Sequence, residues 1–198
     1  MIGKKTAESK FWDWFTDHQD LYFSFENNQE KLFADLNKQL ARIDKNLTFE
    51  FSPVFENDKR EFVISADGVK DSFPVVKKLV ENAPDLANWI IVAFRQPRND
   101  FSKIELNNIK LDVADVFFRF AKDKGKIGIE LNIKGYEDTP DWTAAAFIIL
   151  DSLLGEYDTE MSLSWIDKKA LDERDIEQLF PLKELPVIIH QYMLEMNN

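Results

Sequence analysis

The sequence predicts an α+β fold, in which two strand–strand–helix–strand repeats form a mixed, mostly antiparallel sheet with helices packed on it. Three observations lead there. Apolar residues recur with period two in short segments and at three- and four-residue spacing in longer ones, so strands and helices are both expected. The order strand, strand, helix, strand occurs twice, over 47–96 and again over 116–166. No Gly/Ser- or Pro-rich linker divides the 198 residues, and a chain of this length holds one well-buried core, hiding roughly 70% of its unfolded surface. The expectation is a single domain over 1–198. It comprises a helical N-terminal segment (1–46), a first repeat (47–97), a connector (98–115), a second repeat (116–166) and a closing segment with a C-terminal helix (167–198).

The first helix is expected over Ser9 to Phe25, where Phe11, Phe15, His18, Tyr22 and Phe25 line one face. Trp12, Trp14 and Leu21 widen that face beyond an ordinary amphipathic stripe, which implies burial on two sides or an aromatic surface that meets a partner. A second helix, Asn28 to Asp44, turns Leu32, Leu36, Leu40 and Ile43 inward. Leu47 to Val54 then alternates as a half-buried strand, Asn57-Asp58 turns the chain, and Arg60 to Ser65 returns as a hairpin partner ending at Asp67-Gly68. Ser72 reads as an N-cap, with Pro74 tolerated in the first turn of a helix that runs up to Pro84. The run from Trp89 to Phe94 is apolar throughout, as a central strand covered on both faces would be.

A small hairpin is expected in the connector, Ile104 to Leu106 and Ile109 to Leu111, turning at Asn107-Asn108. The second repeat follows: a strand from Val116 to Lys122, a turn at Asp123-Lys124-Gly125, and a cleanly alternating strand from Lys126 to Lys134. A helix from Pro140 to Leu154 leads to a strand on which Met161, Leu163 and Trp165 alternate. The last helix, Leu182 to Met196, carries Leu185, Ile189, Tyr192 and Met196 on one face.

Composition excludes several chemistries. The chain has no Cys, so it can form no disulfide, thiolate metal site or Cys nucleophile, which suits a reducing, cytoplasmic compartment. A formal net charge of −11 argues against a nucleic-acid partner, because such binding is driven by Lys and Arg neutralising phosphates. The basic start Met1-Ile2-Gly3-Lys4-Lys5 lacks the apolar stretch of a signal peptide, and no uncharged run approaches the roughly 20 residues of a membrane span, so no membrane partner is expected. The six glycines form no phosphate-cradling loop, and neither His18 nor His190 has a second histidine at helical spacing; no cofactor and no metal are expected.

Candidate site residues cluster in a few places. Glu137, Asp138, Asp141 and Trp142 lie where a strand enters the 140–154 helix; carboxylates there can serve acid/base chemistry or simply cap and complement the positive helix end. Asp151 lies within the apolar stretch Phe147 to Leu154, where a carboxylate is costly unless bonded or exposed. Arg95 and Arg98 emerge from the end of an apolar strand, placed either to grip an anion or to pair with an acid of the same chain. The charge is also uneven: between Lys134 and Lys168 there is no Lys or Arg, while Glu137, Asp138, Asp141, Asp151, Glu156, Asp158, Glu160 and Asp167 fall in that stretch.

Four segments, Phe11-Trp12-Asp13-Trp14-Phe15, Ile64 to Gly68, Ala93-Phe94-Arg95 and Leu150 to Tyr157, together resemble a family of uncharacterised bacterial proteins. The resemblance implies a bacterial cytosolic protein and draws attention to Asp67, Arg95, Asp151 and Glu156. It implies no activity. Two functional readings remain. One is a non-enzymatic protein-binding or regulatory domain, inhibitor-like, whose acidic stretch meets a basic protein partner. The other is a small-molecule-binding domain or hydrolase with a carboxylate and Arg site between the two repeats. No catalytic residue is assigned, and oligomeric state is not readable from the sequence.

Overall fold

The aromatic face of the first helix is where the fold begins. A computed structural model describes residues 5–98 and 101–196, and the chain divides into two compact units, Met1–Arg95 and Gln96–Asn198, each with its own sheets and helices. In the first unit, α1 (Ala7–Phe23) starts at Thr6, whose hydroxyl accepts the Ser9 N–H. Phe11, Trp12, Phe15 and Tyr22 are buried as expected, but Leu21 points to solvent. His18 donates to the Trp14 carbonyl at 2.7 Å and stacks on the Trp14 ring, so its place is explained within the helix. At the start of the helix, the Lys78 ammonium stands 2.7 Å from the buried Glu8 carboxylate and holds its pKa at about 2.

The second helix, α2 (Gln29–Ala41), stops three residues short of the expected Asp44. The hairpin strands are β1 (Thr48–Phe51) and β2 (Arg60–Ser65), and the helix α3 (Phe73–Glu81) carries the chain across to β3 (Trp89–Ala93). The sheet order is β1-β2-β3, antiparallel in the first pair and parallel in the second. This corrects one expectation. The apolar run at β3 is an edge strand, and β2, with five of its six residues buried, is the covered centre. At its first position Arg60 is buried beneath the Phe25 and Phe23 rings, at 4.4 and 5.5 Å, and bonds to Glu26, whose pKa it lowers.

Ser72 stands at the start of α3 but does not cap it. Its hydroxyl donates to Asp44 at 2.8 Å and accepts from the Asn46 amide at 3.0 Å, tying the helix start to the chain before β1.

In the second unit a hairpin, β4 (Lys103–Leu106) and β5 (Ile109–Asp112), turns at Asn107, whose φ of 51° is the left-handed backbone that Asn tolerates. Then β6 (Val116–Asp123) and β7 (Lys126–Ile133) pair antiparallel over their full length, and α4 (Pro140–Leu154) and α5 (Glu156–Ser162) lead to β8 (Leu163–Ala170), parallel to β7. A short strand unforeseen in the sequence, β9 (Phe180–Pro181), joins the other edge of β6, giving the order β8-β7-β6-β9. The strands thus form three sheets rather than one sheet shared by both repeats.

Met161 belongs to α5, not to the closing strand. Within β8 the pairing slips: Ile127 faces Leu163 but Ile129 faces Ile166, so one extra residue on β8 lies opposite Gly128. Leu163 is therefore buried while Trp165 swings outward across Gly128, where a Cβ would stand 1.8 Å from its ring. The last helix, α6 (Leu185–Met196), begins three residues later than expected, after a single tight turn over 182–184. It places Leu185, Ile189 and Tyr192 inward, and the Met196 side chain lies outside the described residues. Both units are α+β with helices packed on their sheets, and across the chain the sheets are mixed and mostly antiparallel. Among the described residues, the first unit has one antiparallel and one parallel pair, and the second has three antiparallel pairs and one parallel.

Candidate functional site

The expected site residues fall into three groups. In the first unit, Arg95 follows β3, and Asp67 sits in the turn after β2 with φ of 53°. The Arg95 Nη2 donates to Asp67 at 2.7 Å, and its Nε donates to Glu50 on β1. Burial works against the charge of Arg95, but the bonds to Glu50 and Asp67 outweigh it and hold the pKa above its ordinary value. Glu50 is a partner that the sequence did not suggest. The signal was its period: it is the outward residue of an alternating strand that runs beside β2. The guanidinium fork thus engages two carboxylates of its own chain.

The second group gathers at the N-terminus of α4. Thr139, not Asp138, caps the helix, accepting the Trp142 N–H at 3.4 Å. Asp138 and Asp141 are both exposed; Asp141 accepts from the Asn107 side chain at 3.1 Å, which links the helix start to the β4–β5 turn. Trp142 is half-buried and meets Tyr136 edge-on at 5.9 Å, so it closes the strand-to-helix corner. These carboxylates complement the positive end of the helix.

Asp151 and Glu156 form the third group. Asp151 is ten residues beyond Asp141, about 15 Å along the helix at 1.5 Å per residue, so the two carboxylates serve different ends of α4. Asp151 is half-buried, and its carbonyl accepts the Gly155 N–H at 2.8 Å. Gly155, with φ of 81°, lets the chain break between the helices, and Glu156 after it is fully buried. Among the described residues, no cluster of three or more acidic or histidine side chains could hold a metal ion.

What the sequence missed is the outer face of α4. A helix as apolar as Ala144-Ala145-Ala146-Phe147-Ile148-Ile149-Leu150 reads as buried all round. Its inner face is: Ala145, Ala146, Ile149 and Leu150 are at 0% exposure. Phe147 and Ile148 are not, at 36% and 40%, and with exposed Ala144 and half-buried Asp151 they form a stripe at positions i, i+3, i+4 and i+7. The Lys168 ammonium of β8 lies 5.6 Å from the centre of the Phe147 ring, so that ring already receives a cation on its face.

Comparison with protein-family models, with curated proteins and with solved structures finds no match. The likeness to a bacterial family therefore stands on the four short segments alone. The geometry must carry the functional argument.

Proposed function

We propose that the chain is a non-enzymatic, cytoplasmic protein-binding domain, regulatory or inhibitory in character, which takes a basic amphipathic protein surface on the outer face of α4. The observation that carries this reading is the exposed stripe of Ala144, Phe147 and Ile148 with acidic residues at both ends. Exposed Asp138 and Asp141 flank one end, and Asp151 the other. Apolar side chains left in water next to carboxylates favour a partner that is itself apolar and basic, since contact with it buries the rings and pairs the charges. The acidic stretch itself contains no Lys or Arg between 134 and 168. The Lys168 contact with Phe147 illustrates how an incoming cation would seat. No helix among the described residues is long and apolar enough to cross a membrane, which is compatible with this reading.

The test is comparative capture from the native lysate at low salt, using wild-type protein, a Phe147→Ser/Ile148→Ser variant and an Asp138→Asn/Asp141→Asn variant. One stoichiometric protein is expected with wild type. The apolar variant should lose it, and the charge variant should associate with it several-fold more slowly, with a flatter salt dependence. A protein retained equally by all three, or none retained by wild type, overturns the reading.

A further inference from the structure

A second feature of the unit spanning 96–198 is independent of the α4 stripe. Beneath the opposite end of α4 lies a cleft of about 570 Å³, a size typical of small-molecule sites, which span roughly 300 to 1,000 Å³. One wall comes from α6, where Pro186, Ile189, His190 and Met193 recur at i, i+3, i+4 and i+7 and so share one helix face. The facing wall is the end of α4, through Leu153 and Leu154, with Asp158 and Ser162 of α5 beside it. Phe101 and Val113 complete an interior that is mostly apolar.

The charged groups of the cleft are its distinguishing part. In a chain where Asp and Glu outnumber Lys and Arg by 36 to 25, this cleft carries two cations, Arg98 and Lys183, against the single carboxylate of Asp158. Neither cation has an ion-pair partner among the described residues. Arg98 is also held in place: its backbone N–H donates to the Ser152 carbonyl at 2.8 Å, and its guanidinium lies 5.6 Å from the centre of the Phe101 ring. A positioned guanidinium beside an apolar wall is the arrangement that receives a carboxylate with a hydrocarbon body. The excess of one positive charge over Asp158 matches a monoanion rather than a doubly charged phosphate.

We propose that this cleft, built from α4, α5 and α6 with Arg98 and Lys183 beside it, binds a small amphipathic monocarboxylate. The apolar tail lies against Met193, Ile189 and Leu153, and the carboxylate meets Arg98 and Lys183.

Calorimetric titration of the full chain with octanoate, decanoate, decanol and decyltrimethylammonium tests this. Decanoate should bind about fifteenfold more tightly than octanoate, since each of its two extra buried methylenes contributes a factor of about four. Arg98→Met/Lys183→Met changes exposed groups and leaves the Arg98 backbone bond intact, so the variant should fold. It should weaken decanoate at least tenfold and leave decanol within about twofold. Met193→Trp, which fills the cleft, should weaken decanoate and decanol together, with its fold checked by its amide NMR spectrum. The proposal is overturned by decyltrimethylammonium binding as well as decanoate, by the absence of a chain-length trend, or by a double variant that binds decanoate like wild type. Absence of decanoate binding at millimolar concentration overturns it as well.

Discussion

The two units share a connectivity and differ in what fills them. Each has an antiparallel hairpin followed by a helical crossing to a third strand that lies parallel to the second. The first unit does this with strands of four, six and five residues, the second with three strands of eight. Their cores differ accordingly. In the first, Trp12, Phe15 and Tyr22 of α1 meet Phe51, Phe62 and Trp89 of the sheet; in the second, Ile127, Ile129, Leu131 and Ile133 of β7 share one buried cluster with Ala145, Ala146, Ile149 and Leu150 of α4. The difference has a physical sense. A small sheet offers few inward positions, so each must bury more surface, and an aromatic ring buries roughly 150–250 Å². Long strands offer more positions and can use branched aliphatic side chains, with alanines letting the helix approach closely. Eleven of the seventeen Phe residues fall before residue 96, in keeping with the shorter strands of the first unit.

The strongest way to break that comparison is to remove a ring. Phe15 is fully buried, with Phe62 at 4.9 Å, Trp89 at 5.2 Å, and Phe11, Trp12 and Tyr22 also around it. Phe15→Ala should cost about 3–5 kcal/mol, because rigid neighbouring rings cannot collapse into the gap. Ile129→Val, at an equally buried position of the aliphatic core, should cost about 0.5–1.5 kcal/mol. Hydrogen exchange at the β2 and β7 amides reads each core separately. If Phe15→Ala costs no more than Ile129→Val, the aromatic cluster is loosely packed, and the account of the first unit fails.

A middle-sized effect sharpens the comparison at the one place where the second sheet is irregular. Gly128→Ala puts a methyl into the space of the Trp165 ring, which must swing away. The expected cost is about 1–3 kcal/mol by chemical denaturation, as for overpacking generally. Trp165→Ala in the same chain should restore most of the loss, a coupling that a double-mutant cycle measures directly. No coupling would mean that Gly128 serves the β-bulge through its backbone alone.

Much of this architecture is readable in the sequence, and the misreadings have physical causes. Strong periods held: Arg60–Ser65 and Pro140–Leu154 have the expected ends, and β4 through β7 lie within one residue of theirs. The slip came at Met161, Leu163 and Trp165, whose alternation looks like one strand face but is split between the end of α5 and a bulge. Period two cannot reveal an inserted residue. The run at Trp89–Phe94 was misread because apolarity reports burial, not position within a sheet, and β3 is an edge strand. For the candidate site, Arg95 was recognisable as a strand-end cation. Its partners Glu50 and Asp67 were not recognisable together, because sheet pairing brings them close from 45 and 28 positions away. The cleft was hidden for the same reason, since its walls come from segments between Pro97 and Met193.

The smallest effects compare the starts of the two crossing helices. Thr139 and Ser72 occupy the same position, before α4 and α3, but use their hydroxyls differently. Thr139 accepts a backbone N–H at 3.4 Å, a long bond, so Thr139→Ala should cost about 0.5 kcal/mol, at the low end for caps, and equally at pH 7 and pH 3. Ser72 is buried and donates to the Asp44 carboxylate, so Ser72→Ala should cost about 1.5 kcal/mol at pH 7, the low end for a hydrogen bond to a charged group. Its cost should also depend on pH. The Asn46 N–H and the Ser72 hydroxyl hold the Asp44 pKa below its ordinary value, so their stabilisation is complete above the unfolded pKa, roughly 3.9, and is lost as pH falls through the folded one. Ser72→Ala removes one of those donors, and the Asp44 pKa should rise towards the ordinary value. The gap between wild type and Ser72→Ala should therefore narrow as pH drops from 5 to 2, while the Thr139→Ala gap stays flat. Parallel pH profiles for the two variants would show that Ser72 acts as an ordinary cap and that Asp44 does not depend on its hydroxyl.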